Sequence, residues 1–70
     1  MQFDIKIPEW INWITQDKDG EWWGWAQKPI IDSIFSQWSI PNISYNNIYL
    51  ICKTPPPTDY TQELYKITWK

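Results

Sequence analysis

Histidine and arginine are absent from this chain, and cysteine occurs once. Without histidine, a serine or cysteine nucleophile has no imidazole base beside it, so the Ser-His and Cys-His routes are closed. Without histidine or a second thiol, the usual zinc ligand sets cannot be assembled. The lone Cys52 also excludes a disulfide within the chain, and a free thiol suits a reducing compartment. Missing arginine removes the planar fork that grips phosphates and guanine edges. All six basic residues are lysine, scattered from Lys6 to Lys70, and the net charge is −2. Duplex recognition needs a concentrated basic patch, so no duplex nucleic acid is expected as a partner. Two glycines, Gly20 and Gly24, are too few for a phosphate-cradling loop. No apolar run approaches the roughly 20 residues of a membrane span. The opening stretch MQFDIKIPEW has neither a basic n-region nor a continuous apolar h-region. The expectation is a cytosolic protein with no membrane contact, no cofactor, no metal and no catalytic residue.

What the chain does have is indole: seven tryptophans in 70 residues. A single domain spanning residues 1–70 buries only about 60% of the surface its unfolded chain exposes. Such a fold needs a staple, and large aromatic side chains or self-association are the two left open. Each tryptophan can bury roughly 150–250 Å². About four or five of the seven are therefore expected in the core.

The apolar pattern is mostly of period two. Residues 2–7 alternate strictly, with Phe3, Ile5 and Ile7 on one side. Residues 10–16 and 21–27 read as a hairpin joined by Asp17-Lys18-Asp19-Gly20, a turn in which glycine supplies positive φ. Trp23 and Trp25 share one face of the second strand, and Trp22, Gly24 and Ala26 the other. Gly24 leaves room for a neighbour across the backbone, or marks a bulge. Residues 29–37 place Ile31, Ile34, Phe35 and Trp38 at helical spacing after Pro29, which predicts a short helix. An irregular crossing loop is the alternative. Residues 39–47 read as loop, 47–53 as a compact apolar strand, 54–59 as a stiff proline connector and 63–69 as a final strand. The fold class that results is mainly β (α+β): one small antiparallel sheet of four to five strands with a short helix or helical turn between strands.

Two features carry chemistry. Asp17, Asp19 and Glu21 form an acidic turn. DKDGE resembles the start of a calcium loop, but the twelfth position, which needs a bidentate glutamate, is Lys28. The turn is therefore read as a solvated charge cluster available for pairing. Aromatic faces are the other feature, since tryptophan and tyrosine dominate interface hot spots and also stack unpaired bases. The candidate binding residues are Trp22, Trp23 and Trp25 with Asp17, Asp19 and Glu21, then Tyr45 and Tyr49. Cys52, inside NIYLICK, reads as a buried structural thiol.

Ile7-Pro8-Glu9-Trp10, Asp19-Gly20 and Trp38-Ser39-Ile40-Pro41 superficially resemble a WW domain. The interval from Trp10 to Trp38 exceeds that family's, its Asn-His stretch is missing, and the chain beyond Pro41 would be surplus, so the match is set aside. The order Asp17, Asp19, Gly20, then Trp22 to Trp25, then Lys28-Pro29 and Trp38 resembles small phage-encoded proteins over about residues 10–38. That resemblance implies a virus or other mobile element as origin. It also implies stoichiometric action on a host protein, as in inhibitors of CRISPR and other defence systems, with a nucleic-acid-binding enzyme as one such partner. Taken together, the expectation is a non-catalytic protein-binding module. An aromatic platform for single-stranded nucleic acid, nucleotide or sugar is the second reading. A structural or self-associating subunit, a homo-oligomer, is the third.

Overall fold

The turn at residues 17–20 organises the centre of the molecule. The structure, a computed structural model, describes residues 6–41 and 47–69. Gly20 has φ +96°, and a Cβ there would meet the Thr54 carbonyl oxygen at 2.0 Å, so only glycine fits. On either side run β1 (Trp13–Gln16) and β2 (Glu21–Trp25), paired antiparallel with Trp13 opposite Trp25 and Gln16 opposite Trp22. This is the hairpin that the alternation of residues 10–27 predicts, with shorter strands.

Two more strands extend it. β5 (Ile48–Lys53) pairs with β2, and β6 (Leu64–Lys66) pairs with β1, giving the order β5-β2-β1-β6, antiparallel throughout. Opposite Trp22 and Trp23 the register slips by one residue, a bulge that adds Ile51 to β5. The expected strand at residues 2–7 lies largely outside the described residues, and Lys6 and Ile7 are not in a strand.

Residues 29–37 do not form the helix that their apolar spacing predicts. They build a second hairpin, β3 (Ile30–Asp32) and β4 (Gln37–Ser39), with Ile31 opposite Trp38. The Asp32 carboxylate accepts from the backbone N–H of Ile34 at 3.0 Å and Phe35 at 3.3 Å, and Ser36 turns left-handed at φ 53°. An aspartate that captures N–H groups two and three residues on competes directly with helix formation. Three isoleucines favour the strand as well. The helical turn of the molecule lies instead at residues Tyr60–Gln62, a 3-10 turn capped by Asp59 between β5 and β6.

Indoles on both faces of β2 require both faces of the sheet to be covered, and they are. On one face Ile11, Ile14, Trp22 and Ile51 form a buried cluster, with Ile7, Cys52, Tyr65 and Ile67 packed against it. Ile11 lies across Gly24, where a Cβ would approach its Cδ1 to 2.5 Å. Cys52 is half-buried here rather than sealed. The Trp69 indole N–H, donating to the Ile11 carbonyl at 2.7 Å, ties the C-terminal stretch over this face. On the other face Trp25, Trp38 and Ile40 are buried, joined by Trp13, Trp23, Ile31, Ile48, Tyr60 and Leu64. The second hairpin covers this face, anchored by Trp38. Five tryptophans thus serve the two clusters, in line with expectation.

The buried polar side chains of the described residues are matched. Thr15 accepts the Trp25 indole N–H at 2.8 Å. The buried Gln16 amide donates to the Gly20 carbonyl, Thr54 Oγ1 and the Pro55 carbonyl, each within 3.1 Å. Thr54 Oγ1 also accepts the Trp22 indole N–H at 2.8 Å. Through these bonds the proline connector is pinned to the acidic turn. Among the described residues no buried side-chain polar atom lacks a partner, as the cost of an unsatisfied group demands.

Candidate interaction surface

The candidate residues divide by depth. Trp22 and Trp25 are 7% and 3% exposed, so their rings belong to the two clusters and offer little face to a ligand. Trp23 is half-buried. Tyr49 is exposed on β5, and Tyr45 lies outside the described residues. A flat platform of three adjacent indoles is therefore not what the hairpin presents. Alternation sends Trp22 to one side and Trp23 and Trp25 to the other, and cover on each side takes most of their area.

The acidic turn is at the surface but not idle. Asp19 Oδ1 accepts the Glu21 N–H at 2.9 Å, which shapes the turn. Asp17 Oδ1 accepts the Trp38 N–H at 3.1 Å, so this carboxylate joins the central hairpin to the root of the second one. Burial raises the Asp17 pKa, with the nearby Asp19 charge adding to the effect and the Trp38 N–H opposing it. Glu21 is raised too, first by its hydrogen bond with the Asp19 side chain.

Between turn and hairpin lies a groove of about 180 Å³ lined by Asp17, Trp23, Trp25, Gln37, Trp38 and Ile48. A wider, shallower depression of about 360 Å³ runs along the outer hairpin, past Ile30, Ile34 and Pro41.

The strongest surface feature was not foreseen. Ile34 is 85% exposed, Phe35 68% and Ile30 60%. Ile34 and Phe35 lie in the turn of the second hairpin, and Ile30, on β3, lines the outer depression with Ile34. The helical reading placed Ile34 and Phe35 on a buried stripe. The signal that could have exposed them was the pair of serines around them, with Asp32 before, since Asp and Ser bracket turns. Leu50, Trp10 and Trp69 are further exposed apolar residues, each less exposed than Ile30, Ile34 and Phe35. Single exposed apolar residues are ordinary, whereas a contiguous patch is informative.

No known protein family matches the chain, and no characterised protein or solved structure is significantly similar to it. Among the described residues no helix is long and apolar enough to cross a membrane. Nor does any group of three or more Cys, Asp or Glu side chains there come together as a metal site.

Proposed function

We propose that this protein is a non-catalytic binding module that inserts the tip of its second hairpin into an apolar pocket of a partner protein. The observation that carries the reading is the exposure of Ile34 and Phe35 at a turn that the rest of the fold holds fixed. Asp32 fixes the tip from within, and Trp38 and Asp17 fix its root. A turn held in one geometry loses little entropy on docking, and that favours affinity.

The flanking charge narrows the partner. Asp17 bonds the second hairpin at Trp38, and Asp19 and Glu21 share its turn, so a complementary pocket carries lysine or arginine at its rim. Charge matching of this sort speeds encounter and sets specificity. Nucleic-acid-binding enzymes have such rims, and the resemblance to small phage-encoded proteins extends the reading to a stoichiometric inhibitor of a host defence protein.

The test is capture from host lysate followed by reconstitution with the purified partner. Wild type should form a complex of fixed stoichiometry. The double variant Ile34→Ser, Phe35→Ser should keep its circular dichroism and bind at least about a hundredfold more weakly, as loss of two hot-spot side chains implies. A double variant that binds as tightly as wild type would overturn the reading.

A further inference from the structure

The groove between turn and second hairpin sets one carboxylate, Asp17, among indoles, Ile48 and the Gln37 amide. We infer that it is a cation subsite, taking the head of an alkylammonium group between indole carbon and the Asp17 carboxylate. This inference does not depend on what the hairpin tip docks into.

The Trp25 indole N–H is spent inward on Thr15 Oγ1, and that of Trp38 on the Tyr60 carbonyl at 3.1 Å. The Trp38 backbone N–H is spent on Asp17 Oδ1. What the lining offers is indole carbon, Ile48, the Trp23 indole N–H, the Gln37 amide and one carboxylate whose Oδ2 makes no bond among the described residues. The half-buried Trp23 ring beside a carboxylate attracts a cation with an apolar skirt, because the ring quadrupole and the charge pull the same way.

Three further observations agree. No lysine among the described residues forms an ion pair with Asp17, and burial has already raised its pKa, so a cation at its side relieves an existing strain. On the same face of the sheet, Trp13 holds two ammonium groups over its ring, Lys28 Nζ at 5.4 Å and Lys66 Nζ at 5.8 Å from the centroid. The fold therefore uses indole–ammonium contact one strand away. Size also selects: the groove of about 180 Å³ falls below the roughly 300–1,000 Å³ of clefts for drug-sized ligands. It accepts a head group or one side chain, not a nucleotide.

The test is a titration of the isotope-labelled protein, following the indole N–H signals of Trp23, Trp25 and Trp38 by NMR. The probes are choline, an N-acetyl-trimethyllysine amide, the neutral isostere 3,3-dimethylbutanol and AMP, each to about 10 mM. Both cations should give saturable shifts confined to the groove, and the isostere at least tenfold weaker binding. Tighter binding of the lysine derivative assigns a partner's side chain as occupant; tighter binding of choline assigns a free quaternary amine. Asp17→Asn keeps an acceptor for the Trp38 N–H while removing the charge, and should weaken both cations about tenfold. Trp23→Leu should do the same from the other wall, whereas Asp59→Asn should change nothing. Equal affinity for the neutral isostere, preference for AMP, an unaffected Asp17→Asn variant or no saturable shift would each overturn the inference.

Discussion

The two hairpins of this chain treat their apolar side chains in opposite ways. The central one, β1 and β2, has a strand on each side and cover on each face, so Trp22, Trp25 and Ile14 have nowhere to be but inside. The second one, β3 and β4, is flanked by no strand among the described residues and packs by one face. It buries Trp38 and leaves Ile34 and Phe35 in solvent. Aromatic content does not separate them, since both carry large aromatic side chains. Position in the sheet does. An apolar residue in the centre is structural by necessity, whereas one held at a peripheral tip adds nothing to the fold and points to another use.

The sharpest way to break this contrast is at its buried end. Trp25→Ala removes a ring that is 3% exposed and leaves Thr15 Oγ1 without its donor. Such truncations cost about 3–5 kcal/mol, against a total of roughly 5 kcal/mol for the least stable small domains. The variant should be largely unfolded at room temperature by circular dichroism. Gly24→Ala comes next. Its Cβ would press on Ile11, which is fully buried and cannot swing away, so a loss of about 1–3 kcal/mol is expected in chemical denaturation.

Those two sites also show how much of the fold was legible beforehand. The central hairpin was readable because alternation and turn chemistry agree there, with Asp17, Asp19 and Gly20 at the turn. The space above Gly24 was readable as a close approach, although Ile11 rather than a ring fills it. The second hairpin was not readable, because Ile31, Ile34, Phe35 and Trp38 fit helical spacing as well as a strand, a turn and a strand. The Asp32 carboxylate bonding to Ile34 and Phe35, the left-handed Ser36 and the cross-strand pairing of Ile31 with Trp38 mark the turn and strands in the fold. The acidic turn was found in sequence, but its link from Asp17 to Trp38 joins residues far apart in the chain, and no local pattern announces such a bond.

A smaller effect sharpens the boundary between the hairpins. The Asp17 pKa is raised in the folded protein, chiefly by burial, so the folded state holds its proton more tightly than the unfolded chain. Stability from this group is therefore greatest below the ordinary value of 3.8 and falls as pH rises through the raised one. Asp17→Asn should match or exceed wild type at neutral pH, with the difference closing as pH falls towards about 3. Denaturant midpoints across that range give the answer. A variant less stable than wild type at neutral pH would show that the charge itself is stabilising.

The smallest expected effect on stability tests the account most directly. Ile34→Ser with Phe35→Ser changes two of the most exposed apolar residues of the protein and leaves the Asp32 bonds, which run to the backbone, in place. Surface substitutions away from structural features stay within about 0.5 kcal/mol each. Equilibrium unfolding of this double variant in urea should give the wild-type midpoint and slope to within that margin. A loss of several kcal/mol, on the scale of Trp25→Ala, would mean the tip is part of the fold and not a surface held out for a partner.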